Sequence, residues 1–394
     1  MARFHTTNPA TGELVEEFEV LADDRIEPLL DRAHAGYLSW RRTLVADRAA
    51  VLHRIADLYE QRAEQLAQDV TTEMGKPITA ARGEMKTCAG IFRYYAEQGP
   101  QMIAREQIEP ATGGTAYLRR DPIGVLLMIM PWNFPHYQIA RVAAPNLLLG
   151  NTMVLKHAGN CARSALNVER MFQDAGVPED AFVNAFVGHE HVGAMIADER
   201  IAGVTLTGSD RAGRIVGEQA GREVKKAVLE LGGSDPFVVA PDADLEATAR
   251  DAVMGRCVNS GQTCTSSKRF IVVEELYEQF LERFVAGMSS VPFGDPQDEA
   301  TVVGPLSSAQ AREDVHELVA DAVAHGAKVL TGGEPAEDVA ARLEVGMVWI
   351  NSTSRSSAEL PFGGVKRSGI GRELGRLGIE EFANHKLVRS PGGL

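Results

Sequence analysis

Val125-Leu126-Leu127-Met128-Ile129-Met130 is apolar at every position. A strand with one face in water alternates apolar and polar residues, so an unbroken run fits a parallel strand covered on both faces. Asp121-Pro122-Ile123-Gly124 before it reads as a turn. After it, a helical pattern over 137–149 ends at Gly150-Asn151, and Met153-Val154-Leu155-Lys156 reads as the next strand. Helix 164–175, strand Phe182-Val183, helix 192–197, strand Val204-Thr205-Leu206 and strand Ala227-Val228-Leu229 continue the alternation. That βα repetition predicts an α/β protein with an open, doubly wound parallel sheet. Architecture of this kind hosts many chemistries and fixes none of them.

The flanks add helices and a second α/β region. Asp23-Asp24 can cap a helix carrying Ile26, Leu29, Leu30, Ala33, Tyr37 and Trp40. A second helix is predicted over 47–70, stopped by Gly75-Lys76-Pro77, and a third runs to about Gln98. Beyond Glu230-Leu231-Gly232-Gly233, a new region begins at Asp235-Pro236-Phe237-Val238-Val239. Helices are predicted there over 244–257, 277–288, 307–325 and 336–343, with strands at 270–273, 328–330 and 347–350. The end, Phe382 to Val388, reads as an extended arm able to pair with a partner subunit.

Bulk properties exclude several classes. The 394 residues are 44% hydrophobic and 24% charged, ordinary for a soluble globular chain of two or three domains. A net charge of -14 without a Lys/Arg-rich block argues against nucleic acid. No apolar run approaches the ~20 residues of a membrane span, and the N-terminus has no signal-peptide core. The four cysteines Cys88, Cys161, Cys257 and Cys264 have neither zinc-type pairing nor the density of a disulfide framework. A reducing cytosol is the expected setting, with no metal.

Chemistry gathers around Val258-Asn259-Ser260-Gly261-Gln262-Thr263-Cys264-Thr265-Ser266. A cysteine on a Gly/Ser/Thr turn between helix and strand is expected to push its sulfur outward, near backbone N–H groups that favour a thiolate. The plain alternative is a buried small hydrophobe. Thr207-Gly208-Ser209 sits where a strand gives way to a helix, where backbone N–H groups suit a pyrophosphate. A simple tight turn explains it equally well. Glu230 ends a buried strand beside two glycines, as at a domain junction lining a cleft. The Gly-rich stretch 361–369 allows close backbone approach.

Pro131-Trp132-Asn133-Phe134-Pro135, Leu155-Lys156, Thr207-Gly208-Ser209, Glu230-Leu231-Gly232-Gly233, Gly261-Gln262-Thr263-Cys264 and Pro361-Phe362-Gly363-Gly364 resemble, in order and spacing, the aldehyde dehydrogenase superfamily. Tyr94-Tyr95-Ala96-Glu97, Met130-Pro131-Trp132-Asn133 and Lys156-His157-Ala158 resemble its succinate-semialdehyde dehydrogenase branch. The resemblance implies a Rossmann-type cofactor domain (1–110 and 125–229) and a second, shortened α/β catalytic domain (230–370). It also implies a small β oligomerisation arm (111–124 and 371–394) that makes a homodimer or homotetramer. Cys264 would be the nucleophile, Asn133 an oxyanion donor and Glu230 the base that activates water. Trp132, Lys156, Gly159, Thr207, Gly208, Ser209, Leu231 and Gly232 would hold the cofactor. A family glutamate that binds the 2'-hydroxyl of NAD is Gly159 here, which favours NADP while leaving NAD possible. Arg141, helped by Ser356 or Ser357, would clamp the distal carboxylate of the aldehyde.

Two departures from the family pattern bear on function. The branch's second arginine, six residues before the cysteine, is replaced by Val258, with Arg256 two residues further back. The family's Glu-x-Phe-Gly-Pro motif, whose glutamate holds the nicotinamide-side ribose, has no counterpart. Leu330-Thr331-Gly332-Gly333-Glu334 runs almost directly into Pro335-Ala336-Glu337-Asp338-Val339, an internal deletion near 334. The loss is expected to expose apolar faces of the second region and to loosen hydride positioning. Three readings follow: oxidation of a small carboxylated aldehyde, a non-catalytic relative that folds and oligomerises, or a Cys264-dependent esterase.

Overall fold

The computed structural model describes residues 4–111, 114–332 and 356–390. A hairpin of β1 (Phe4–Thr7) and β2 (Leu14–Phe18) opens the chain. Helices α1 (Ile26–Trp40), α2 (Val45–Gln61), α3 (Ala63–Met74) and α4 (Ile78–Met102) follow. The sequence predicted one helix over the span that α2 and α3 share. The chain kinks at Arg62, whose φ of -104° and ψ of 9° leave helix geometry. Gly75 ends α3 with a φ of 75°, and a Cβ there would lie 2.7 Å from Pro305 Cγ, so glycine is required.

After β3 (Glu106–Ile108) and β4 (Thr115–Pro122) comes the predicted alternation: β5 (Val125–Met130), α5 (Tyr137–Leu149), β6 (Thr152–His157), α6 (Ala162–Asp174), β7 (Phe182–Asn184), α7 (His189–Ala197), β8 (Ile201–Thr207), α8 (Asp210–Arg222) and β9 (Lys226–Glu230). These strands are parallel and belong to a six-stranded sheet in the order β12-β9-β8-β5-β6-β7, whose outermost member, β12 (Gly369–Ile370), pairs antiparallel with β9. Val125, Leu126, Leu127 and Met128 are fully buried. Leu126, Met128 and Met130 pack with residues of α2, α4, α5 and α6, while Val125 and Leu127 pack with α1, α7 and α8 on the opposite face. The sheet is therefore doubly wound, and β5, between β6 and β8, marks the point where the strand order reverses. Ligand crevices form at the carboxyl ends of such strands.

The second region is thinner. It contains β10 (Asp235–Val239), α9 (Leu245–Cys257), β11 (Ser267–Val272), α10 (Tyr277–Ser289) and α11 (Ala309–Ala324). β10 and β11 make a two-stranded parallel sheet over a small core of Val239, Ala249, Ala252 and Phe280, joined by Phe237, Phe270 and Phe284. Val238 is 65% and Ile271 45% exposed, the exposure expected where strands are missing. The strand predicted at 328–330 is not formed, and Val329 and Leu330 are exposed without strand partners. The predicted helix 336–343 and strand 347–350 lie outside the described residues, as does the junction near 334.

The chain closes with α12 (Gly375–Glu380) and β13 (Ala383–Ser390). Within the chain, β13 runs antiparallel to β4 from Ala383 opposite Pro122 to Ser390 opposite Thr115. Among the described residues no helix is long and apolar enough to cross a membrane.

Candidate active site

Because β5, β6, β8 and β9 are parallel, the loops after Met130 and His157, the Thr207 turn and Glu230 all emerge at one end of the sheet. The loop after β5 is anchored from below. Glu84 Oε1 accepts from the His136 and Tyr137 N–H groups, both at 2.9 Å, which caps α5. Its other oxygen takes the ammonium of fully buried Lys76, which also lies 3.7 Å from the centre of the Phe134 ring. This buried ion pair fixes the loop that carries Trp132 and Asn133.

Asn133 reaches across to the cysteine turn. Its Nδ2 donates to the Gln262 carbonyl at 3.0 Å, while Asn259 Nδ2 donates to the Asn133 carbonyl at 2.8 Å. An amide nitrogen has two hydrogens, so one donor of Asn133 remains for a ligand. The turn is strained: Asn259 (φ 51°) and Ser260 (φ 56°) are both left-handed. Ser260 Oγ accepts from Gly304 N–H at 2.9 Å, and Gln262 Oε1 accepts from Ser307 N–H at 2.9 Å. These ties hold a geometry that non-glycine residues adopt at a cost.

Cys264 follows, half-buried against the main apolar core. Its surroundings act on the sulfur in both directions. Burial pushes the thiol pKa up, Arg141 and Lys268 pull it down, and Glu230 and Asp235 push it up again. The reactive form needs help from the cations around it.

Glu230 is the last residue of β9, 5% exposed, and its Oε1 has no hydrogen-bond partner among the described residues. Burial, and then the neighbouring Glu373, raise its pKa to about 8, against the pull of Arg141, Arg372 and the Gly364 backbone. A Cβ on Gly363 would lie 3.0 Å from that oxygen, and one on Gly369 (φ 135°) would lie 1.7 Å from the Leu229 carbonyl. Glycines in 361–369 thus let the chain close over Glu230.

Arg141 is not the open clamp that the sequence suggested. It is 1% exposed, and its Nε lies 2.7 Å from Glu373 Oε2 in an ion pair whose N–H vector misses hydrogen-bond alignment. Nη2 donates to Gln138 Oε1 at 2.5 Å and to Thr207 Oγ1 at 3.3 Å, and the guanidinium lies 4.2 Å from the Phe362 ring centre. Nη1 has no hydrogen bond among the described residues. Glu373, which also accepts from Thr205 Oγ1 at 3.5 Å, was missed in the sequence: it sits in an irregular glycine-rich stretch, and its partner is far away along the chain. Ser356 Oγ accepts from Tyr137 O–H at 2.5 Å, beside Arg141, whereas Ser357 is hydrogen-bonded to Glu359.

The remaining predicted residues divide. Lys156, at the end of β6, is 5% exposed, and its ammonium makes no hydrogen bond or ion pair among the described residues. Ser209 Oγ accepts from Ala212 N–H at 3.2 Å and so caps α8, and the Thr207 hydroxyl is turned into the Arg141 network. Those two side chains are already engaged within the protein. Gly208 donates its N–H to the Glu230 carbonyl at 2.9 Å, and Leu231 donates to the Ser368 carbonyl at 3.0 Å. Gly232 faces open space, Gly159 starts a short turn after β6, and Trp132 packs against the core.

Comparison with known proteins bears on the fold and the family. The aldehyde dehydrogenase family matches over residues 2–338 and 334–388, two pieces that meet at the proposed deletion. The succinate-semialdehyde dehydrogenase [NADP(+)] of Deinococcus radiodurans is 42% identical, covering 98% of this chain and 94% of that protein. That alignment runs over 452 positions against a chain of 394 residues, so the relative carries a stretch absent here. The succinate-semialdehyde dehydrogenase [NADP(+)] 1 of Mycobacterium tuberculosis is 40% identical over 97% of this chain and 98% of that one. The solved succinic semialdehyde dehydrogenase of Streptococcus pyogenes, in complex with NADP+, superposes with a TM-score of 0.94 at 36% identity, covering 99% of this chain and 100% of that one.

Proposed function

The chain belongs to the aldehyde dehydrogenase family, and from that premise we propose that it oxidises succinate semialdehyde to succinate with NADP, using Cys264 as nucleophile. NAD(P)-dependent aldehyde oxidation is the activity of the family; the substrate, cofactor choice and residue roles are our reading. The observation that carries it is the reciprocal tie between Asn133 and the cysteine turn, with Glu230 and Arg141 close enough to act on the same thiol.

In this reading the Cys264 thiolate adds to the aldehyde carbon, and the carbonyl electron pair becomes an oxyanion. The free N–H of the Asn133 amide and the Cys264 N–H receive that charge. A bound nicotinamide dinucleotide supplies the acceptor for the hydride that leaves the same carbon. The resulting Cys264 thioester is hydrolysed when Glu230 takes a proton from water and the thiolate departs. Two features favour such a cofactor at this end of the sheet: the nearly buried Lys156 ammonium, unpaired among the described residues, and the open space at Gly232. Gly159 puts no carboxylate beside Lys156 from that turn, which suits a 2'-phosphate. Arg141 Nη1 and Ser356 would take the distal carboxylate, with Glu373 already neutralising part of the guanidinium.

Residues 1–110 and 125–229 serve here as the dinucleotide-binding part and 230–370 as the catalytic part. The sheet of β3, β4 and β13 is the surface for self-association into a dimer or tetramer. The test is purified protein with succinate semialdehyde and NADP, followed by nicotinamide absorbance, beside Cys264→Ala. Reduced cofactor that disappears in the variant supports the reading. Ester hydrolysis that depends on Cys264, without reduced cofactor, would replace it by a thioester-forming hydrolase. Soluble protein with neither activity would replace it by a non-catalytic relative.

A further inference from the structure

Lys268 opens the question of what holds the nucleophile in place. It is the second residue of β11, half-buried, and its Nζ donates to the Cys264 carbonyl at 2.7 Å, the Thr263 carbonyl at 3.0 Å and the Ser266 carbonyl at 3.3 Å. An ammonium has three hydrogens and no acceptor, so every donor of Lys268 is spent on the turn that bears Cys264. A planar trans peptide points its C=O and N–H in opposite directions. With the Thr263 carbonyl held toward Lys268, the Cys264 N–H faces away from the ammonium.

We propose that Lys268 is a positioning residue for the nucleophile: it aims the Cys264 N–H at the forming oxyanion and sets a fixed positive charge against the thiol. The inference rests on the reading of Cys264 as the nucleophile. The charged and titratable groups that face this pair are Arg141 from α5, Tyr137 from α5, Glu230 from β9, Asp235 from β10 and Arg256 from α9. Arg141 already shares its charge with Glu373, whereas Lys268 is spent on neutral carbonyls, with Asp235 acting on it only through its charge.

The test compares the full-length protein with Lys268→Met, Lys268→Gln and Lys268→Arg. Iodoacetamide alkylation of Cys264, located by peptide mass and followed against pH without aldehyde or cofactor, reads the thiol directly. Met and Gln should move the alkylation midpoint up by about one pH unit, roughly a tenfold slower reaction at neutral pH, and Arg should restore it. Aldehyde turnover should fall about tenfold or more in kcat, with little change in KM. Gln keeps two donors without the charge, so it decides the matter if Met does not fold. A midpoint unchanged in Gln, even with kcat reduced, would overturn the proposal, since a purely structural lysine does that. Aldehyde oxidation that survives Cys264→Ala would instead remove the nucleophile reading, while the alkylation data would still report on Lys268.

Discussion

Glutamine at position 230 isolates the energetic consequence of burying a carboxyl group at the end of β9. In the folded protein that group is shifted from an ordinary 4.5 up to about 8 by burial and by Glu373. A raised carboxyl pKa means that the folded chain keeps its proton longer than the unfolded one. The stability it contributes is fully present below pH 4.5 and is lost as pH rises through about 8. The slope in that window is about 1.4 kcal/mol per pH unit, which sums to about 4 kcal/mol between about pH 5 and pH 8. Glutamine is neutral throughout and escapes this loss. Whatever the new amide costs or gains in hydrogen bonds is the same at every pH, so it cancels when two pH values are compared. Thermal unfolding of parent and Glu230→Gln, followed by intrinsic fluorescence at pH 5 and pH 9, makes the measurement. Relative to the parent, the variant's midpoint should climb by on the order of 5 °C between the two conditions. An offset that does not change with pH would refute the reasoning, because Glu230 would then be solvated and ionised in the folded protein.

Arg141→Met leaves Glu373 buried without its partner and should destabilise the fold by about 3–5 kcal/mol, while Arg141→Met with Glu373→Gln should recover most of that in a double-mutant cycle. On the double background, turnover of succinate semialdehyde should still fall further than turnover of an uncharged aldehyde; equal losses would remove the carboxylate argument. Gly159→Glu places a carboxylate near Lys156 and should lower kcat/KM for NADP relative to NAD by about tenfold or more, read from parallel titrations of the two cofactors. Gly369→Ala puts a Cβ against the Leu229 carbonyl at a φ of 135°, so it should separate β12 from β9 and abolish turnover even where soluble protein is recovered.

The parts legible in the sequence were those with local causes. The apolar run 125–130 is a strand buried on both faces, and α5 spans the residues that its periodicity indicated because Gly150, at a φ of 106°, ends it. Asp244 and Ser308 cap α9 and α11 as their residue types promise. The break at Arg62 left no signal, since neither proline nor glycine marks it. Lys328-Val329-Leu330 has the composition of a strand, but a strand needs a neighbour, and none is paired with it among the described residues. At the site, a candidate was readable wherever one side chain would carry the proposed chemistry, as with Asn133, Glu230 and Cys264. None was readable where two distant side chains share it. Arg141 looked like a free guanidinium because Glu373, its counter-ion, lies in another part of the chain. Lys268 passed unnoticed because its role depends on three carbonyls, which no sequence pattern displays.

The thinness of the second region bears on activity only through what actually holds Cys264. If the two-stranded sheet of β10 and β11 were its sole support, the missing strands would leave the nucleophile loosely placed. The hydrogen bonds argue otherwise. Asn259 and Gln262 tie the turn to the Asn133 loop, and that loop is capped by Glu84 and Lys76 inside the larger core. Glu230 comes from the larger sheet directly, with Gly369 closing on it from the chain's return strand. The proposed nucleophile, oxyanion donor and base are therefore tied by hydrogen bonds and strand pairing to the doubly wound sheet. The deletion removes the family's Glu-x-Phe-Gly-Pro motif, whose glutamate is expected to hold the nicotinamide-side ribose. Its effect should appear first in the affinity and orientation of the cofactor, and Cys264 alkylation should remain fast at a pH where turnover is already slow.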